Sequence, residues 1–232
     1  MTVAVAERRT SDDVERRLIK SVLGGEYPPG TQLPPERELA SKMGVARPTL
    51  RDALRRLERD GWLTIRKGRP AVVNDFWKTG NLNTLANITG NSDVFHEEFI
   101  IYLLEIRAAL APAFIRSAVT KNPARVVAAL VESIELEDTP EAFSVFDWEF
   151  QKSAAGLAGN PIYPLLLNSF DTLYIKLAGQ YFSREEARQA SKRFYRRLLA
   201  SAMASDPVAA ESAARDAMEE SIHLWKTRIK KP

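Results

Sequence analysis

The chain has 232 residues, 45% hydrophobic and 27% charged, with 33 Lys+Arg against 30 Asp+Glu and a net charge of +3. That length supports two small cores better than one larger one, and the absence of cysteine excludes disulfides and thiolate-held metal. No secretory h-region opens the chain. Its most apolar windows, such as 99–114, are broken by Glu105 and Arg107 and fall short of the ~20 residues of a membrane helix, so a soluble cytoplasmic protein with no membrane partner is expected.

A first helix is expected after Thr10 or Ser11 as cap, with Asp12 and Asp13 in its first turn, Val14, Leu18 and Val22 on one face, and Gly24-Gly25 as its stop. A turn-rich segment containing Pro28, Pro29 and Gly30 ends in Pro34-Pro35, which opens a second helix with Glu36 and Glu38 in its first turn and Met43-Gly44 at its end. A third begins within three residues, carries Pro48 in its first turn and places Leu50, Ala53, Leu54 and Leu57 at i, i+3, i+4, i+7, the spacing of a buried stripe. Its other face and leading end carry Arg47, Thr49, Arg51 and Arg55, donors suited to phosphates and to the guanine edge. After Asp60-Gly61 the period becomes that of strands, Trp62, Leu63 and Ile65 on one arm and Ala71, Val72 and Val73 on the other. The tip between them is Arg66-Lys67-Gly68-Arg69, able to lie along a phosphate strand.

Two short helices, a tight turn and a basic hairpin are the parts of a DNA-reading winged helix. A plain helical hairpin with a solvated arginine face would explain the helices but neither the wing nor the charge skew. Residues 1–78 hold 16 Lys+Arg against 11 Asp+Glu, and residues 79–232 hold 17 against 19, so the basic excess lies wholly in the first part.

Residues 74–91 form a polar connector interrupted by Phe76, Trp77, Leu82, Leu85 and Ile88, which predicts a short helical linker docked on a neighbour. From Asp93 the period is helical almost throughout. Phe95, Phe99, Tyr102, Leu103, Ile106, Leu110 and Phe114 mark one long helix ended by Lys121-Asn122-Pro123, and further breaks fall at Asp138-Thr139-Pro140, Gly159-Asn160-Pro161, Ser183 and Asp206-Pro207. Six or so helices joined by short turns make an antiparallel all-α bundle. The fold class is therefore mainly α: a winged helix (α+β) over 1–75, a helical linker over 76–92 and an all-α bundle over 93–232. Within the bundle, Arg107 lies near the apolar stripe and must snorkel, pair with a carboxylate such as Glu105 or Asp147, or meet an anion. Ser221 and Trp225, one turn apart, share a face of the last helix, which also carries Arg215. The carboxylates of Asp147-x-Glu149 and Glu135-x-Glu137-Asp138 point to different helix faces. With no cysteine, no Ser/His/Asp set and no glycine-rich phosphate loop, an enzyme is not expected.

Leu33 to Ala40 (LPPERELA), Gly44 to Leu54 (GVARPTLRDAL) and Asp60 to Leu63 (DGWL) follow the pattern of the GntR-type winged helix, which the first 75 residues resemble. The likeness continues through NDFWKTG from Asn74, LLEIR from Leu103, GNPIYPLLLN from Gly159 and LYIKLAGQYF from Leu173, so nearly the whole chain is similar to the FadR subfamily, the fatty-acid-responsive members of that family. The resemblance implies a regulator that reads double-stranded, pseudo-palindromic operator DNA as a homodimer, with contacts from Arg37, Arg47, Thr49, Arg51, Lys67 and Gly68. It further implies a long-chain acyl-CoA effector contacted by Leu103, Arg107, Tyr174, Tyr181, Arg215, Ser221 and Trp225, and release of the operator when that effector binds. GntR relatives with such a bundle commonly hold a metal through one Asp and three His. The matching positions here are Asp147, Gln151, Tyr195 and Ala217, and the chain's two histidines are His96 and His223, so neither metal nor other cofactor is expected. The alternative is a GntR-type regulator that senses another small organic acid without metal. Where the subfamily has Tyr-Gly in the last helix this chain has Ala217-Met218, and Ile222 replaces a further glycine, which implies a bulkier wall.

Overall fold

The computed structural model describes residues 2–91 and 97–229, and the chain divides into two compact units, Met1–Val94 and Phe95–Pro232. Asp93, where the bundle was expected to begin, and Phe95 and His96 lie outside the described residues.

In the first unit, α1 (Thr2–Leu23) packs on α3 (Arg47–Arg59), which α2 (Glu36–Met43) precedes across the turn at Gly44. The stripe of α3 is buried as its spacing requires, Leu50 and Ala53 at 0% exposure, against Val14, Leu18, Ile19 and Val22 of α1 and Leu39 of α2. The expected cap at Thr10 or Ser11 is corrected: α1 starts at Thr2 and runs through both residues. Ser11 is buried within the helix, and its hydroxyl donates to Asp52 Oδ2 of α3 at 2.9 Å.

The strands β1 (Leu63–Thr64) and β2 (Val72–Val73) pair antiparallel, Leu63 with Val73 and Thr64 with Val72. The segment read as merely turn-rich also joins this hairpin, since Gln32 bridges Val72, Leu33 N donates to Ala71 O and Val73 N donates to Thr31 O. Two short helices follow, α4 (Phe76–Thr79) and α5 (Leu82–Gly90), the second opened by a capping box in which Asn81 and Thr84 satisfy each other's backbone donors. Both helices belong to the first unit. Their anchor is the end of α3. Asn83 Nδ2 and Asn87 Nδ2 donate to the buried Asp60 carboxylate at 3.2 and 3.4 Å, Thr84 Oγ1 donates to the Asp60 carbonyl and Asn81 Nδ2 to that of Arg59. Gly61 has φ +84, and a Cβ built on it would lie 2.5 Å from the Thr79 carbonyl oxygen, so only glycine lets the two backbones meet.

The second unit contains α6 (Glu97–Lys121), α7 (Pro123–Val131), a 3-10 turn (Glu132–Ile134), α8 (Pro140–Leu157), α9 (Ile162–Asn168), α10 (Asp171–Phe182), α11 (Glu185–Met203) and α12 (Pro207–Ile229). The principal packings are α6 on α12 and α8, α11 on α12 and α7, and α10 on α8. The core joins Phe114, Ile115, Phe143, Trp148, Phe182, Tyr195 and Leu198. The stripe expected on α6 is narrower than the sequence suggests: Tyr102 and Ile106 are each 54% exposed, because the buried arc of α6 runs through Ala111, Phe114, Ile115 and Ala118 and leaves that side outward.

Candidate nucleic-acid interface and ligand cavity

Arg47 stands exposed at the first turn of α3, with Pro48 beside it supplying a helical φ, and Thr49 is half-buried behind it. Arg51, one turn on, is exposed and donates through Nε to Glu36 Oε2 of α2 at 2.7 Å. That pair leaves the Nη edge of the guanidinium for other acceptors. Arg37 is exposed on α2. At the wing tip Arg66, Lys67, Gly68 and Arg69 are all exposed; Arg69 N donates to Arg66 O at 3.0 Å and Gly68 sits at φ +73. All six residues expected at DNA are thus on solvent-facing or half-exposed positions of α2, α3 and the wing. Arg56 differs from its neighbours: it binds Asp12, Asp52 and Glu15 and ties α3 to α1.

Sequence reasoning missed two supports of this surface, Glu36 and Asp60. In sequence Glu36 stands out only as an acid in the first turn of α2, and Asp60 only as the residue before Gly61 where the period changes. Burial pulls the Asp60 carboxyl upward, but hydrogen bonds from Arg59, Asn83 and Asn87 and the Arg59 charge outweigh it and hold the group below its ordinary value.

In the second unit a cavity of about 120 Å³ opens between α6, α8, α9, α10 and α12. Its wall is mostly apolar, with Ile100, Leu103, Leu104, Leu110 and Phe114 from α6, Leu166, Leu167, Phe170, Leu177 and Phe182 from α9, α10 and the turn between them, and Trp148 and Trp225 from α8 and α12. Arg107, Gln151, Tyr174, Tyr181 and Ser221 supply the polar atoms. A smaller pocket adjoins at Arg107, Tyr181 and Ser221 and is bordered further by Asp147, Glu220 and Met218.

Six of the seven expected effector residues, Leu103, Arg107, Tyr174, Tyr181, Ser221 and Trp225, meet in this cavity. Arg215 does not line it: its side chain is 55% exposed and pairs with Glu211 Oε1 at 3.0 Å, sharing that carboxylate with Arg116. The lining residues Trp148, Gln151, Phe170 and Phe182 were not singled out as ligand contacts, since at helical spacing an aromatic reads as core. Met218 is buried and borders the small pocket, whereas Ile222 is half-buried.

Asp147 organises the polar end. Arg107 Nη2 donates to its Oδ2 at 3.0 Å, Tyr195 Oη to its Oδ1 at 2.8 Å, and Tyr174 Oη also to Oδ2. Burial works against the charge of Arg107, but Tyr174, Asp147 and Tyr181 beside it reverse the balance and raise its pKa. Burial, reinforced by Asp147, drives the phenols of Tyr174 and Tyr195 well upward, so both stay protonated donors at neutral pH. Tyr174 is sandwiched, its ring stacked 4.2 Å from Trp148 and the Arg107 guanidinium 5.5 Å from its centroid. The Asp147 carboxylate is thereby paired with a guanidinium and two phenols contributed by α6, α10 and α11. Among the described residues no three His, Cys, Asp or Glu side chains cluster as a metal site would need.

Comparison with known proteins adds the lineage. The family described as Bacterial regulatory proteins, gntR family, matches residues 10–73, and the FadR C-terminal domain matches residues 74–231. A Fatty acid metabolism regulator protein of Shewanella pealeana is 43% identical over 185 residues, 79% of this chain and 77% of its own length. Another of that name from Pectobacterium atrosepticum is 42% identical over 184 residues, again 79% of this chain and 77% of that one. The solved structure of Lar, described as controlling the expression of the Listeria monocytogenes agr system and mediating virulence, superposes with a TM-score of 0.60 at 17% identity, covering 94% of this chain and 96% of Lar. That likeness concerns the fold alone.

Proposed function

This chain belongs to the GntR family of bacterial regulatory proteins, with a FadR C-terminal domain, and we propose that it regulates transcription of fatty-acid metabolism by holding operator DNA until a long-chain acyl-CoA fills its cavity. It is a transcription regulator and not an enzyme, in keeping with its family and its curated relatives. Operator DNA meets the exposed donors of α2, α3 and the wing. One short helix and one wing read too few base pairs for useful specificity, so two copies act on a pseudo-palindromic site.

The observation that carries the effector assignment is the cavity wall, nearly all hydrocarbon, whose one cation among the described residues, Arg107, is already paired with Asp147. An acyl chain gains ~0.8 kcal/mol per buried methylene there. A small organic acid would leave most of that wall uncovered and would compete with Asp147 for Arg107, which disfavours the organic-acid alternative. For the coenzyme phosphates, the helices α6 and α12 that wall the cavity also carry two half-exposed guanidiniums, Arg116 and Arg215, which share one carboxylate. Release follows if the acyl-CoA binds the DNA-incompetent state better, by a coupling of ~1–3 kcal/mol.

Titrating acyl-CoAs of C8 to C18 against a fluorescent operator tests the assignment. Displacement should strengthen with chain length until the cavity is full, and free fatty acids should displace poorly. If no length displaces the operator, the DNA-binding half stands alone.

A further inference from the structure

Two buried donors that border the cavity, Gln151 Nε2 and Arg107 Nε, meet no acceptor among the described residues. Gln151 is 2% exposed. It follows Asp147, which holds the other edge of the Arg107 guanidinium, by one turn on the same face of α8. Asp147 and Ser221, which lie close by, are satisfied. Asp147 accepts from three donors, and Ser221 Oγ donates to the Met218 carbonyl at 2.7 Å. A cavity meant only for a bare alkyl chain gains nothing from an amide in its wall, because a buried donor without a partner is costly and a leucine or methionine would pack there at no such cost.

We propose that the cavity selects an acyl group carrying an oxygen acceptor near its thioester end, and that Gln151, with Arg107 Nε, donates to that oxygen. The position of the acceptor follows from polarity. The small pocket that adjoins at Arg107, Tyr181 and Ser221 marks the polar end, which suits the thioester end of the chain, and Phe114, Leu166 and Phe170 offer the tail an apolar wall. Two sources share the chemistry, the thioester carbonyl itself or a hydroxyl on the third carbon. Gln151 is then a specificity-determining residue. The inference rests on the acyl-CoA reading above.

The test measures dissociation constants of palmitoyl-CoA, its thioether analogue S-hexadecyl-CoA and 3-hydroxypalmitoyl-CoA for the full chain and for Gln151→Met, which keeps length and removes the hydrogen bond. If the carbonyl is the acceptor, wild type binds the thioether about ten-fold more weakly than palmitoyl-CoA; if the hydroxyl is, wild type binds the hydroxyacyl ligand about ten-fold more tightly. In either case Gln151→Met brings the preference to within about two-fold. Equal binding of all three by wild type overturns the proposal without needing the variant, and so does a preference that persists in Gln151→Met. Failure of all three to bind wild type instead removes the acyl-CoA reading on which the proposal rests.

Discussion

Arg51, an expected DNA contact, has one guanidinium nitrogen already engaged. Its Nε–Glu36 pair fixes the plane of the guanidinium and leaves two Nη groups side by side, the geometry that a guanine edge accepts. Arg47→Ala and Arg51→Ala should each weaken operator binding by ~1–3 kcal/mol in a gel-shift titration, and wild-type affinity from both would remove α3 from the interface. Lys67→Ala should weaken all sequences alike and lower the slope of log K against log salt by about one, as for a lost phosphate contact. The exposure of the arginines on α2, α3 and the wing was legible because the motif is contiguous and they stand opposite a spaced apolar stripe. That Arg215 stands off the cavity wall was not, and the cause is simple. At ~100° per residue it lies ~80–120° around α12 from Ser221 and Trp225, so the helix that brings those two into the cavity turns Arg215 outward. Gln151, named in sequence only as a position without the metal-binding histidine, was not legible as a cavity residue for the opposite reason: nothing in spacing distinguishes a core amide with a partner from one without.

At the scale of elements, helix ends marked by proline and glycine were readable in order, and the bundle's breaks at Asn122-Pro123, Thr139-Pro140 and Asp206-Pro207 coincide with the starts of α7, α8 and α12. The start of α1 was not, because Ser11 and the acidic pair after it imitate a cap inside a longer helix. The third strand-like segment of the wing was hidden by its prolines and glycine, since it pairs through a few backbone groups only. Pairings among distant elements carry the strongest expectations about stability. Asp147→Ala should cost roughly 3–5 kcal/mol, read as a fall in thermal midpoint, because it strands a buried guanidinium and two phenols. Gly61→Ala should cost roughly 2–4 kcal/mol, as it joins a left-handed φ to a clash with the Thr79 carbonyl. The depressed pKa of Asp60 implies stability that is present above the ordinary carboxylate range and lost as pH falls through that range toward the folded value. Acid titration of wild type should therefore show a loss that Asp60→Asn lacks.

For the whole molecule, the division into a basic reading unit and a faintly acidic bundle could be read from the charge of the two stretches, whereas the cavity could not, since it is made by side chains from five helices separated in sequence. The same assembly places a guanidinium against Asp147, the one carboxylate that a one-Asp, three-His centre would share. Elemental analysis of untagged, dialysed protein should accordingly find no stoichiometric transition metal, and finding one would move the organic-acid sensor ahead of the acyl-CoA sensor. The seam at Asp60-Gly61 has a geometric consequence for the operator. Arg47 lies twelve residues from the end of α3, or ~18 Å along the axis at ~1.5 Å per residue. A swing of only ~10° about that seam would carry its side chain ~3 Å, close to the ~3.4 Å rise of one base pair. Because α5 is stitched to the same end by four side chains, any displacement of α5 would act first on the base of α3, and its effect at Arg47 would grow with the length of the helix.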